Sequence, residues 1–176
     1  MIVPAFLSVL VVAQAGCTST ASRLPDGVAA ASGRAPALPM TTLDGGRAPD
    51  TNGKVLVVNF WNPYCPPCRV EAPALEAAAR RFADEGVVMV GVHYTGQQWP
   101  KSVPDALSFV RAAHLMYPVV GDPGSALAKG FGIAGIPTTV VVDASGRMRF
   151  RVQGPVKAQV LDDLLDRVLA EGATTT

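Results

Sequence analysis

The spacing of apolar residues along this chain changes several times, and each change predicts an element of secondary structure. Residues 55–60 and 87–92 are apolar at almost every position, as in strands that are buried on both faces of a sheet. Between them, from 70 to 82, apolar residues recur about every 3.6 positions. This spacing predicts an amphipathic helix that is closed at Gly86.

The apolar pattern in the second half of the sequence predicts further helices and a strand hairpin. The predicted elements are a helix at 104–113, an extended piece at 117–120, a helix at 125–131, strands at 139–143 and 148–153, and a helix at 156–168. Strand–helix–strand alternation predicts a parallel pair, and the late hairpin adds antiparallel strands. We therefore expect a single α/β domain with a mixed sheet flanked by helices.

Two segments precede the first buried strand. Residues 37–52 contain turn signals at 44–46 and 49–50, which predict a small N-terminal β-hairpin. Residues 17–36 are rich in Ala, Gly, Ser and Pro without apolar periodicity, as in a flexible linker. The folded domain is therefore expected to cover 37–172.

The first 16 residues resemble an export signal. Residues 2–13 form an apolar run of signal-peptide length, too short to span a bilayer as a helix. The sequence 13–15, Ala-Gln-Ala, fits cleavage that releases a secreted protein. Ala15-Gly16-Cys17 resembles a lipobox, after which Cys17 would carry a lipid and anchor the chain outside the cytoplasmic membrane. Both alternatives stay open, as does an uncleaved anchor or a misread start.

Composition excludes some classes of partner. Charged residues make up 16% of the 176 residues and the formal net charge is +1, so no basic surface for nucleic acid is expected. Hydrophobic residues make up 49%, enough for a substantial core. Three cysteines are too few for a disulfide scaffold. The pair Cys65 and Cys68 and the single Cys17 near the N-terminus therefore call for separate explanations.

The sequence Cys65-Pro66-Pro67-Cys68 lies where a buried strand ends and a helix begins. A three-residue step at the first helical turn brings two Cα atoms within disulfide distance, and the positive helix end stabilises a thiolate. Proline is tolerated there because its missing N–H leaves no hydrogen bond unmade. We expect Cys65 to be the exposed attacking thiolate and Cys68 the shielded resolving thiol.

A zinc site is the main structural alternative for this pair. It would need two further ligands, and the chain offers His93, His114 and Cys17 at spacings that match no compact zinc motif. We interpret the two histidines as ordinary strand-end and helix-end residues, and we expect neither a metal nor another cofactor.

Four motifs together resemble the TlpA/ResA group of exported bacterial thiol–disulfide oxidoreductases, over about 37–171. They are Val57-Val58-Asn59-Phe60-Trp61, the cysteine motif, Glu71-Ala72-Pro73 and Gly135-Ile136-Pro137-Thr138-Thr139. The resemblance implies a thioredoxin-like fold with a central strand–helix insertion at 95–117.

The resemblance also implies roles for residues outside the cysteine motif. Pro137 matches a cis proline that packs beside the disulfide, and Glu71 matches an acid that assists proton movement and tunes the thiol pKa. The alternative for Glu71 is a first-turn acid favoured by the helix dipole. Asn59 stands where thioredoxin has a titrating Asp. The expected substrate groove consists of Trp61, Tyr64, Pro66, Pro67 and Ile136.

The expected function is exchange of disulfides with envelope proteins, as a reductant of apocytochrome c or copper-site proteins supplied by a thiol-reductant electron donor in the membrane. A Cu(I) carrier is the alternative, since two thiolates attract soft metals, but no clear third ligand is placed. A peroxidase would have Thr where Asn62 stands.

Overall fold

The computed structural model describes residues 23–96 and 98–174. The predicted signal peptide and Cys17 lie outside the described residues, so the predictions made for them stay predictions. Within the described residues, no helix is both long enough and apolar enough to cross a membrane.

Six strands and four helices form the described part of the chain. The strands are β1 (Val28–Ala30), β2 (Val55–Trp61), β3 (Val87–Tyr94), β4 (Val119–Asp122), β5 (Thr138–Val142) and β6 (Met148–Gln153). The helices are α1 (Pro66–Arg81), α2 (Val103–Ala112), α3 (Ala126–Gly130) and α4 (Ala158–Ala173). The elements that the apolar pattern predicted from residue 55 onward are confirmed, whereas the insertion implied at 95–117 contains helix α2 and no strand among its described residues. Helix α1 starts earlier than its apolar period indicated, because its first two residues are prolines.

The strands form one mixed sheet in the order β1-β6-β5-β2-β3-β4. Strands β2, β3 and β4 are parallel, and β5 pairs antiparallel with both β2 and β6. This is the predicted combination of an early parallel pair and a late hairpin. The six-stranded sheet and its helices form the mixed-sheet α/β architecture that the sequence predicted.

Strand β2 is buried along its whole length because both faces of the sheet are covered. Val57 and Trp61 belong to an apolar cluster formed with residues of α1, α2 and α4. Val58 and Phe60 belong to a second cluster, on the side of α3. The cysteine motif that follows β2 is therefore attached to a strand that is buried along its whole length.

The N-terminal part differs from the prediction. Residues 37–52 contain a tight turn with a single antiparallel bridge, Thr41 to Arg47, instead of a strand hairpin. Strand β1 lies inside the predicted 17–36 linker and pairs antiparallel with β6, so the fold begins before Ala37. The linker prediction was wrong here because β1 is three residues long, and so short a strand gives no periodic signal.

Candidate active site

A disulfide joins Cys65 and Cys68 at the start of α1, with their Cα atoms 5.3 Å apart. Cys65 is the N-cap residue, and its Sγ accepts a hydrogen bond of 3.3 Å from the Cys68 backbone N–H. Pro66 and Pro67 occupy the first helical positions and present no N–H group. A thiolate on Cys65 would thus lie at the positive end of the helix.

Both cysteines are covered, which corrects the expectation of an exposed Cys65. Cys65 is 1% exposed and Cys68 is 2% exposed, and both belong to the same apolar cluster as Phe109 of α2. The neighbouring side chains of Pro66 and Pro67 are exposed instead. The sequence indicated the position of the sulfurs on the helix but not their burial in this cluster.

The peptide bond between Ile136 and Pro137 is cis, as the resemblance implied. It immediately precedes β5, whose first residue Thr138 pairs with Phe60 near the end of β2. The register therefore places Pro137 at the end of the sheet from which the cysteine motif continues. Ile136 is half-buried and packs against both apolar clusters.

Glu71 is a buried carboxyl group with two hydrogen-bond donors. It is 2% exposed and lies on the same buried side of α1 as Cys68. The Asn59 side-chain amide donates to Oε1 over 2.8 Å, and the Val156 backbone N–H donates to Oε2 over 2.8 Å. The Asn59 amide also donates to the Thr139 hydroxyl over 3.0 Å. The network links α1 with β2, β5 and the segment before α4.

Burial raises the pKa of Glu71 to about 7, although the hydrogen bonds from Val156 and Asn59 act in the opposite direction. A carboxyl group with this pKa can hold or release a proton near neutral pH. The burial of Glu71 and its two hydrogen-bond donors favour the interpretation as a proton-binding group over that as a solvated first-turn acid.

Helix α2 contacts the cysteine motif from the side. The Tyr64 hydroxyl donates to Asp105 Oδ2 over 2.5 Å, and the Arg69 guanidinium lies 5.2 Å from the centre of the Phe109 ring. Hydrogen bonds from Ser102 and Tyr64 lower the pKa of Asp105, and the same bond to Asp105 raises the pKa of Tyr64. The inserted helix thus forms one wall of the site.

Asn62 was missed as a site residue by the sequence analysis. It is fully buried, and its side-chain amide donates to the carbonyls of Tyr94 and Pro100 over 2.9 and 3.0 Å. Its side-chain oxygen accepts the Tyr64 backbone N–H over 3.1 Å. An amide directly after an apolar strand was the available signal, because such a group needs partners when buried.

Two further predictions concern aromatic and histidine residues. Trp61 is 2% exposed and its ring lies 5.0 Å from that of Phe109, so it is a core residue rather than part of the predicted substrate groove. His93 is buried near the end of β3, where burial lowers its pKa, and His114 follows α2. Among the described residues, no three His, Cys, Asp or Glu side chains are grouped as a metal site.

Comparison with known proteins decides the family. A sequence profile of the AhpC/TSA family matches residues 32–151. The chain belongs to this family. Within it, the chain is similar to the thiol:disulfide interchange protein HelX of Rhodobacter capsulatus, with 35% identity over 142 residues that cover 77% of this chain and 75% of HelX.

Other AhpC/TSA relatives support the predicted TlpA/ResA type. The chain is 26% identical to the thiol-disulfide oxidoreductase ResA of Halalkalibacterium halodurans, over 69% of this chain and 66% of ResA. It also resembles the crystal structure of a secreted Mycobacterium tuberculosis disulfide oxidoreductase homologous to E. coli DsbE. That match has a TM-score of 0.60 and 30% identity, over 76% of this chain and 95% of the other. The chain is a thiol–disulfide oxidoreductase of thioredoxin fold.

The pKa of Glu71 makes stability depend on pH. In the folded protein this pKa is about 7, against the ordinary value of 4.5, so the folded state keeps a proton that the unfolded chain has lost. The stabilisation is fully present below pH 4.5 and is lost as the pH rises to 7. We expect a loss on the order of 3 kcal/mol, which urea unfolding at pH 5 and pH 8 would measure. Glu71→Gln should remove most of this loss, whereas the exposed-site variant Glu85→Gln should retain it. Equal losses in all three proteins would contradict the assignment.

Proposed function

We propose that this protein reduces disulfides of exported proteins, with Cys65 as the attacking thiolate and Cys68 as the resolving thiol. The observation that carries the proposal is the placement of Cys65 as the N-cap of α1, where its Sγ accepts the Cys68 N–H. A sulfur in this position leaves and attacks as a thiolate, because the helix end and the N–H favour negative charge.

The reaction is a two-step exchange. The Cys65 thiolate attacks one sulfur of the substrate disulfide, and the other substrate sulfur leaves and takes up a proton. Cys68 then loses its proton and attacks Cys65, which releases the first substrate sulfur as a thiol and forms the Cys65–Cys68 disulfide. Two electrons pass to the substrate, so an external dithiol must reduce the pair again.

Glu71 is proposed to accept the proton of Cys68 during the second step. Its pKa of about 7 and its place on the same buried side of α1 support this role. Asn59 cannot titrate, and Glu71, which accepts its amide N–H, is the ionisable member of that hydrogen-bonded pair. A carboxyl group that gains and loses a proton near neutral pH is suited to a thiol with a pKa in the same range.

The resemblance to the TlpA/ResA group supports the finer parts of the proposal. The substrates are proposed to be apocytochrome c or copper-site proteins of the cell envelope, and the donor a membrane thiol reductant. Export by the signal at 1–16 and lipid attachment at Cys17 are proposed from the sequence. The exposed Tyr64, Pro66 and Pro67 are the chain neighbours of Cys65 and are proposed to contact the substrate polypeptide.

Replacement of one cysteine at a time separates the two thiol roles. Cys68→Ser should accumulate mixed disulfides between Cys65 and substrate proteins, because no thiol remains to release them. Cys65→Ser should form none, and both variants should reduce insulin only at the uncatalysed rate. Non-reducing electrophoresis followed by mass spectrometry identifies the trapped proteins. The assignment of the two roles fails if the traps form on Cys68 instead.

The role of Glu71 predicts a change in the pH dependence of exchange. Glu71→Gln should slow reduction of a model disulfide by about a hundredfold or more near pH 7, because the proton acceptor is lost. The titration of the Cys68 thiol, followed by alkylation rate, should also shift. Glu85→Gln serves as the control. Unaltered titration and exchange rate in Glu71→Gln would remove the proposal.

Lipid attachment predicts where the mature protein is found. The native chain should collect in the membrane fraction of its cells, and Cys17→Ala should move to the soluble envelope fraction or the medium. Incorporation of a labelled fatty acid gives a direct measurement. A native chain that is soluble and unlabelled would favour simple secretion.

A further inference from the structure

The oxidised protein encloses the sulfur that its partner has to reach. Cys65 is 1% exposed. A thiolate that reduces a disulfide must contact the sulfur that it attacks, nearly in line with the bond that breaks. Some part of the surface near Cys65 therefore has to move before the pair can be reduced.

The residues next to Cys65 differ in their freedom to move. Pro66 and Pro67 lie in the first turn of α1, where their rings fix the backbone. Asn62 is fully buried and donates two hydrogen bonds to the carbonyls of Tyr94 and Pro100. Tyr64 is 51% exposed and is bonded directly to Cys65 in the chain. Of these four residues, Tyr64 is thus the one that can move with the least disturbance of the core.

One side-chain hydrogen bond joins Tyr64 to helix α2. Its hydroxyl donates to Asp105 Oδ2 over 2.5 Å. Asp105 lies in the first turn of α2, and its backbone N–H donates to Ser102, the N-cap residue, over 3.3 Å. Phe109, one turn further on the same face, contacts the Trp61 ring at 5.0 Å. The face of α2 that holds Tyr64 therefore also packs on the last residue of β2, just before the motif.

We propose that Asp105 is a positioning residue for the exchange reaction, which holds Tyr64 so that the motif stays closed over Cys65 until this hydrogen bond is released. The inference rests on the proposed attack at Cys65. It gives the inserted helix α2 a role in access to the disulfide. The bond is single and lies at the surface, so its net stabilisation is small enough for frequent release.

Reduction by dithiothreitol probes access to the pair. One thiolate of the reagent attacks Cys65, the Cys65–Cys68 bond breaks, and the Cys68 sulfur takes up a proton. The second thiol of the reagent then attacks its own mixed disulfide, which releases Cys65 and leaves cyclic, oxidised reagent. The rate of this reaction and that of the reverse oxidation can both be followed by tryptophan fluorescence or by thiol alkylation.

Tyr64→Phe and Asp105→Ala should each speed reduction about threefold to tenfold, which is the factor that loss of one net hydrogen bond allows. The reverse oxidation should become faster by the same factor, so the redox potential should not change. The double variant should react no faster than either single variant, because both remove the same bond. Asp105→Asn, whose amide oxygen can still accept the hydroxyl, should restore slow reduction.

Controls separate this proposal from the proposed function and from an effect on folding. Asp166→Ala, at an exposed position of α4, should react at the native rate. Tyr64→Phe keeps the ring, and thermal unfolding should show that it folds. Unchanged or slower reduction in the single variants, additive effects, or a displaced potential would overturn the role of Asp105. A native disulfide that dithiothreitol does not reduce reversibly would instead overturn the proposed exchange itself.

Discussion

The junction between β2 and α1 is the constraint on which the rest of the structure depends. A helix N-terminus stabilises a thiolate when the helix end is held next to the sulfur. In this motif the second cysteine, one turn further on, is also shielded from solvent. Strand β2 fixes the junction because it is paired on both edges, with β3 and β5, and is buried on both faces. The cis Pro137 reaches the same end of the sheet because β5 runs antiparallel to β2.

The raised pKa of Glu71 is also a consequence of burial. Desolvation disfavours a charged carboxylate, and two donors from Asn59 and Val156 offset only part of that effect, so the pKa is raised. A more polar surrounding would stabilise the fold at neutral pH but would return Glu71 to an ordinary acid. If hydrogen bonds compensated the charge of Glu71 fully, its pKa would be ordinary. The carboxyl group can therefore exchange a proton near neutral pH only because its charge is incompletely compensated.

The sequence predicted those features that depend on local pattern. Runs of consecutive apolar residues predicted the buried strands, and the strand-to-helix position of the cysteines predicted their place at the start of α1. Strand β1 was missed because three residues carry no period. The burial of Cys65 and Trp61 was missed for another reason. It depends on tertiary contacts: Phe109 of α2 lies 5.0 Å from the Trp61 ring and belongs to the same apolar cluster as Cys65, although it is distant from both in the chain.

The covering of the disulfide has two consequences that act in opposite directions. Exclusion of water strengthens the interaction of the Cys65 sulfur with the Cys68 N–H and with the helix end, since electrostatic effects grow as the local dielectric constant falls. The same covering keeps other thiols away. In a helix-capping site open to solvent, any small thiol would compete with the intended partner. Contacts such as Arg69 over Phe109 and Asn62 to Tyr94 hold the walls of the site in place.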